Sequence, residues 1–255
     1  MHTELRWTYE PQDLFEQPTE LEVAGRSARA DEGIVTVHLS GDQSQNSDLR
    51  DQLEKALSQQ LRGQALARRM HSALLRGSTA FVDDQGNRSI SLSVGCAVTV
   101  CTGGQADFVI RRGDGTTVRD TRAERLCRQA VLAELVGRWG SRDSVLDRML
   151  DSHARAAADP SNFLVHLYEI REALGVRYRG ESRAREVLGI SAARWSRLGL
   201  LTNDLPLLEG RHRGKHQAEL RPATAAEQEE GWGLADELIE AYLRWLDRGV
   251  GQVQR

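Results

Sequence analysis

The feature that most constrains this chain is a change in the period of its apolar residues near Thr121. Before that point, short runs alternate with period two, as strands with one buried face must. Leu5-Arg6-Trp7-Thr8-Tyr9, Glu20-Leu21-Glu22-Val23 and Gly33 through Leu39 are three such runs, with Pro11 and Pro18 in the loop between the first two. Thr79 through Val82 and the β-branched run from Arg88 to Cys101 predict two more strands. Ala106 to Arg112 and Thr116 to Arg119 flank Gly113-Asp114-Gly115, a hairpin pattern. Gly103-Gly104 and the loop from Arg111 to Gly115 read as ordinary turns rather than phosphate cradles. One helix interrupts the strands. From Asp48 to Leu75, Leu49, Leu53, Ala56, Leu57, Leu61, Leu66, Met70 and Leu74 trace a stripe of helical period. Asn46 or Ser47 is the expected cap, Gly63 an expected kink, and His71 a structural member of the helix.

After Thr121 the period is close to 3.6 almost to the end. Helices are predicted over Glu124–Trp139, Ser144–Ala158 and Asn162–Leu174, with Asp159-Pro160-Ser161 separating the last two. Tyr178 to Ser182 breaks the chain before a short helix from Arg183 to Leu188. Leu188-Gly189-Ile190-Ser191 and the segment Ala192–Leu200 then have the helix-turn-helix pattern, although Trp195, Leu198 and Leu200 suit a bundle core better. Thr224 with Glu227 forms a capping box ahead of the last helix, where Trp232, Ala235, Leu238, Ile239, Tyr242, Leu243 and Leu246 share a face. Gly249 and Gly251 are expected to end it. The expected fold class is α+β: a β-rich domain with one long helix over residues 1–121, then an all-α bundle over 122–255. The boundary should fall between Thr117 and Arg125.

Charge narrows the function only locally. The net charge of −3 gives no general attraction to nucleic acid, so any such contact must be concentrated in one place. Cys96, Cys101 and Cys127 are odd in number and lack metal or redox spacing, which predicts a reducing compartment. No stretch resembles a signal peptide or reaches eighteen consecutive apolar residues, so a soluble cytoplasmic protein without membrane contact is expected.

The concentration occurs at Asn203 to His216. Arg211, His212, Arg213, Lys215 and His216 place three cations and two imidazoles within six residues, with no carboxylate among them. Of 34 basic residues only Lys55 and Lys215 are lysines, and one lies here. Such a cluster repels itself unless it is a solvated loop or meets an anion. If it forms a helical turn, Arg211, Lys215 and His216 share a face. Arginine offers a planar fork for phosphate, histidine a group that titrates near neutrality, and Gly214 room for close approach. His212 and His216, four apart, have the spacing of a metal pair, but no glutamate follows His212 and no third ligand is near, so neither metal nor cofactor is expected.

Arg211-His212-Arg213-Gly214-Lys215-His216 resembles the Arg-x4-6-His motif of the HEPN superfamily, including the polar residue after the arginine. The resemblance spans about Arg125 to Leu246, and the segment Asn203–Thr224 is similar to HEPN-like domains of bacterial defence proteins. It implies a helical bundle that forms homodimers and, in catalytic members, an endoribonuclease that needs no metal. Two copies of the motif would meet across the dimer around one RNA phosphate and leave a 2′,3′-cyclic phosphate. DNA would be spared for want of the attacking hydroxyl. On this likeness His216 is expected to shuttle the proton and Arg211 to hold the charge of the phosphorane, with His212 orienting either or serving as a second acid/base. Arg213, Lys215 and Asn203 are expected to bind substrate, and Asn203 or Asp204 to fix an imidazole tautomer. The β-rich part would sense, restrain or position, through a regulatory protein or ligand. Two alternatives stand beside this: a non-catalytic module that binds a nucleotide or partner and dimerises, and a helix-turn-helix DNA binder relying on Arg194 and Arg197.

Overall fold

A computed structural model describes residues 2–40, 47–82, 88–91, 107, 109–112, 116–215 and 219–249. The chain is α+β, an antiparallel sheet followed by helices. It forms two compact units, residues 1–64 with 72–133 and residues 65–71 with 134–255. The division falls inside a helix, beyond the boundary expected from the change of period.

In the first unit, β1 (His2–Glu10), β2 (Thr19–Val23), β3 (Arg26–Asp31), β4 (Ile34–Ser40), β5 (Ala73–Val82) and β6 (Arg88–Ser91) form one antiparallel sheet in the order β2-β3-β4-β1-β5-β6. Alternation decides which face is buried. Leu5, Trp7 and Tyr9 of β1 are inside, and Leu5 and Trp7 pair in register with the buried Val37 and Val35 of β4. Helix α1 (Ser47–Arg68) contributes the buried Leu53, Leu57 and Leu61. Each such leucine stabilises by about 1.5–3 kcal/mol relative to exposure. Trp7 Nε1 donates to Glu54 Oε1 at 2.9 Å, and the Arg50 guanidinium lies 5.8 Å over the indole, so α1 covers the Trp7 side of the sheet.

Strand β3 escaped the sequence reading. Both its ends are two-residue hairpins: Ala24-Gly25 have φ of 51° and 73°, and Glu32-Gly33 have 46° and 80°. Two successive positive φ angles give the turn whose twist matches paired strands. The expected helix to Leu75 is also shorter. It ends at Arg68, His71 is exposed in the connection, and Leu74 pairs with Tyr9 in β5. Pairing with β1 overrides a stripe that happened to continue. Gly63 makes no kink: α1 is unbroken, and a Cβ there would lie 2.4 Å from Ala133 Cα of helix α2 (Thr121–Trp139), where the two backbones touch. Strands β7 (Val109–Arg111) and β8 (Thr117–Asp120) form the expected hairpin. Asn46, residues 92–106, with Cys96 and Cys101, and Gly113-Asp114-Gly115 lie outside the described residues.

The second unit is helical: α3 (Ser144–Ala158), α4 (Phe163–Arg177), α5 (Glu181–Leu188), α6 (Ala192–Gly199) and α7 (Ala225–Gly249). Its core joins Leu146, Met149 and Leu150 of α3, Leu164, Leu167 and Ile170 of α4, and Ile239, Tyr242 and Leu243 of α7. Asp143 caps α3, accepting from the backbone of Val145 and Leu146, and also accepts from the Tyr242 hydroxyl at 3.1 Å. Burial first, and the Asp143 carboxylate second, push that hydroxyl up to about 12. No helix among the described residues is long and apolar enough to cross a membrane.

The capping box of α7 is formed in both directions: Glu227 N–H donates to Thr224 Oγ1, and Thr224 N–H donates to Glu227. Arg221 donates to both oxygens of Glu227 at 2.8 and 2.7 Å; with the Thr224 backbone it lowers that carboxyl from 4.5 to about 2. The folded value is the lower one, so this contribution is complete above pH 4.5 and is lost as pH falls toward 2. Replacing Glu227 by alanine should cost about 1 kcal/mol at neutral pH. It should also flatten the acid limb of stability against pH, measured by denaturant midpoints; an unchanged limb would remove Glu227 from the account.

Candidate functional site

The basic loop is positioned by an unusual helix ending. Helix α6 passes directly into a π-helical turn, Leu200–Asp204, in which Leu205 N–H bonds back to Leu200 O at 3.0 Å. Thr202, fully buried, turns its hydroxyl onto Leu198 O at 2.8 Å, a local bond that competes with regular helix. Such turns recur at functional sites. Two backbone clasps then hold the loop. Arg211 N–H donates to Thr202 O at 2.8 Å, while Leu208 N–H donates to Arg221 O at 2.9 Å and Arg221 N–H to Pro206 O at 3.0 Å, on either side of the buried Leu207.

These clasps direct Arg211 onto α4. Its guanidinium carbon lies 4.4 Å above the Tyr168 ring, and one nitrogen is 3.7 Å from Glu172. The side chain remains 36% exposed. Arg171, one turn along α4, is nearly buried; it lies 5.6 Å from the same ring and 5.3 Å from Trp195 of α6, and pairs with Glu181 at 2.8 Å. Tyr168 therefore has two guanidinium groups against it. Among the described residues, Arg171 Nε and Trp195 Nε1 are buried without a hydrogen-bond partner, which marks this wall as polar but unsatisfied.

The other expected residues have separate fates. His212 is exposed beside Arg211, and its carbonyl accepts from Lys215 N–H at 3.0 Å. Arg213 is a strut: Nε donates to Gly210 O at 3.1 Å, and Nη2 to Ser161 O at 3.0 Å and to Asn162 Oδ1 at the start of α4. Lys215 pairs with Asp204 at 3.1 Å, both exposed, so Asp204 is directed to a cation rather than to an imidazole. Asn203 is in the π turn, with its carboxamide oxygen buried and unpartnered among the described residues. His216 lies outside the described residues. Among the described residues of this stretch only Arg213–Lys215 forms a helical turn, of 3-10 type, so Arg211 and Lys215 do not share a helix face.

Sequence reasoning missed Tyr168, Arg171 and Glu172. Their spacing of three and four along α4 was visible, but nothing local indicates that a loop 40 residues away would settle on that face. The helix-turn-helix pattern is present, with Gly189 left-handed at φ 71° and Ser191 capping α6. Its two arginines, however, are engaged by α7: Arg194 with Glu237, and Arg197 with Glu230 at 2.7 and 2.9 Å. Comparison with family models, with curated proteins and with solved structures finds no match to this chain.

Proposed function

We propose that the helical region is a metal-independent endoribonuclease of HEPN type, acting in bacterial antiphage defence or as a toxin. The observation that carries this reading is the Arg211 guanidinium, fixed over Tyr168 with a third of its surface in solvent and His212 beside it. A guanidinium held this way suits a phosphate through its edge and an unpaired base through its face. In the proposed reaction Arg211 stabilises charge on the phosphorane, and His216 moves the proton between the 2′-hydroxyl and the leaving 5′-oxygen. His212 orients one of these or acts as a second acid/base. Two chains supply one site, and the sheet unit restrains or triggers it through a regulatory partner.

The test is cleavage of labelled single-stranded RNA with EDTA present. The native chain should leave cyclic phosphate ends, and Arg211→Ala and His216→Ala should each be slower by about 100-fold or more. Tyr168→Leu should lose roughly 10-fold while Tyr168→Phe keeps most activity, because the ring face and not the hydroxyl supports Arg211. Equal cutting by native protein and His216→Ala would sink the reading. A second reading, a non-catalytic RNA- or nucleotide-binding module, is favoured by Arg213 and Lys215 being engaged within the chain. RNA binding without cutting would select it.

A further inference from the structure

Away from the Arg211 loop, the helical unit holds a chain of four ionisable groups that the proposed function does not use. His153 of α3 is 2% exposed, and its Nε2 lies 3.1 Å from Asp236 Oδ1 of α7. Asp236 Oδ2 accepts from Arg69 Nε at 2.9 Å, and Arg69 Nη1 donates to Glu229 at 2.7 Å. Burial alone would raise the Asp236 carboxyl; the His153 hydrogen bond and the Arg69 charge outweigh it and hold it below its ordinary value. Arg69 has φ of 52°, a backbone conformation that side chains with a Cβ rarely adopt, so its place is imposed by its surroundings.

A pocket of about 250 Å³ opens beside this chain. Trp232, Phe163, Pro160 and Ala157 form its apolar wall, and Arg69 and Gln228 its polar side. Trp232 meets the His153 ring edge to face at 5.0 Å and lies nearly parallel to Phe163 at 6.3 Å, so the aromatic wall is fixed from behind.

The two carboxylates on Arg69 are not equivalent. Asp236, 7% exposed, grips Nε from the inside and sets the direction of the guanidinium. Glu229, 74% exposed, makes a surface pair of the kind that contributes little. An incoming carboxylate can displace Glu229 into water and still leave Asp236 paired. We propose that this pocket binds a small aromatic carboxylate, its ring against Trp232 and Phe163 and its acid group on the outer edge of Arg69. The volume is below the roughly 300–1,000 Å³ usual for drug-sized ligands, which favours a single ring over a nucleotide. With Asp236 kept on Nε, the ligand's carboxylate takes the place of Glu229 on Nη1, one carboxylate for another.

The experiment is a tryptophan-fluorescence titration of the full chain with benzoate, benzamide and acetate. Benzoate should saturate with Kd of about 1 mM or tighter, and benzamide and acetate should each bind at least 10-fold more weakly. Glu229→Gln removes the competing carboxylate and should tighten benzoate binding about 3-fold. Ala157→Leu fills the wall and should abolish it, and so should Arg69→Gln. The surface variant Glu229→Gln keeps the test decisive if Arg69→Gln fails to fold. No saturation by benzoate, equal binding of benzamide or acetate, or unchanged affinity in Glu229→Gln would each overturn the proposal.

Discussion

Gly77→Ala is expected to cost the sheet unit about 3 kcal/mol or more, the upper end for overpacking a closed interior. Gly77 lies in β5 where the pairing with β1 slips: Arg6 faces Ser78 and Thr8 faces Leu75, so Arg76 and Gly77 together oppose Trp7. This is a β-bulge, and it bends the sheet beside its central strand. A Cβ on Gly77 would lie 1.8 Å from Arg6 O and 3.0 Å from Trp7 Cδ1. The first of these is backbone of the strand that joins β4 to β5, so no side-chain rotation relieves the clash. The Gly77 carbonyl also accepts from Arg50 Nη2 at 3.2 Å, which ties α1 to the bulge. Gly175→Ala is the control. Gly175 is inside α4 with nothing within 4 Å of a new Cβ, and alanine there should stabilise by about 0.5–1 kcal/mol. Chemical denaturation distinguishes the two, and a Gly77→Ala protein as stable as the native one would refute the bulge argument.

Asp236→Ala should be the most damaging single change in the helical unit, at about 3–5 kcal/mol. The loss is not that of one hydrogen bond. It leaves a buried imidazole and a partly buried guanidinium with no anion between them. Asp236→Asn keeps one acceptor and should lose less. The pH dependence separates a charge effect from a packing effect. The folded carboxyl has the depressed value, so its contribution is complete above the ordinary carboxylate range and disappears as pH falls through the folded value. Asp236→Asn should therefore flatten the acid limb as well as lower the plateau. Stability measured from pH 7 downward checks this, and parallel curves for native and Asp236→Asn would mean that the carboxylate acts only by shape.

The candidate site was half legible. The crowding of Arg211, His212, Arg213, Lys215 and His216 is visible in the sequence, because like charges without carboxylates stand out locally. Their division of labour is not. Arg213 reaches back to Ser161 and Asn162, Lys215 to Asp204 and Arg211 to Tyr168, and each partner is on another turn or helix. The Arg69–Asp236 contact joins residues 167 apart and the His153–Asp236 contact residues 83 apart, which no local pattern encodes.

The sequence by itself determined whatever follows from nearest neighbours on one element. That includes the alternation of Leu5, Trp7 and Tyr9, the bounds of Ser144–Ala158, the capping box of Thr224 and Glu227, and the change of period that makes the chain α+β. Tertiary structure decided what depends on a second element. Strand β3, built on the small Ala28 and Ala30, has little strand preference of its own and exists because β2 and β4 flank it through two tight turns. Residues 73–75 left the helical stripe for β5 because β1 offered its unpaired edge. Arg211 became the cation stacked on an aromatic ring, and Arg213 a strut, only once α4 placed Tyr168 under one and Asn162 beside the other. A periodic pattern specifies which face of an element is buried; which groups meet across two faces is set by packing, where every polar partner has to be found in three dimensions.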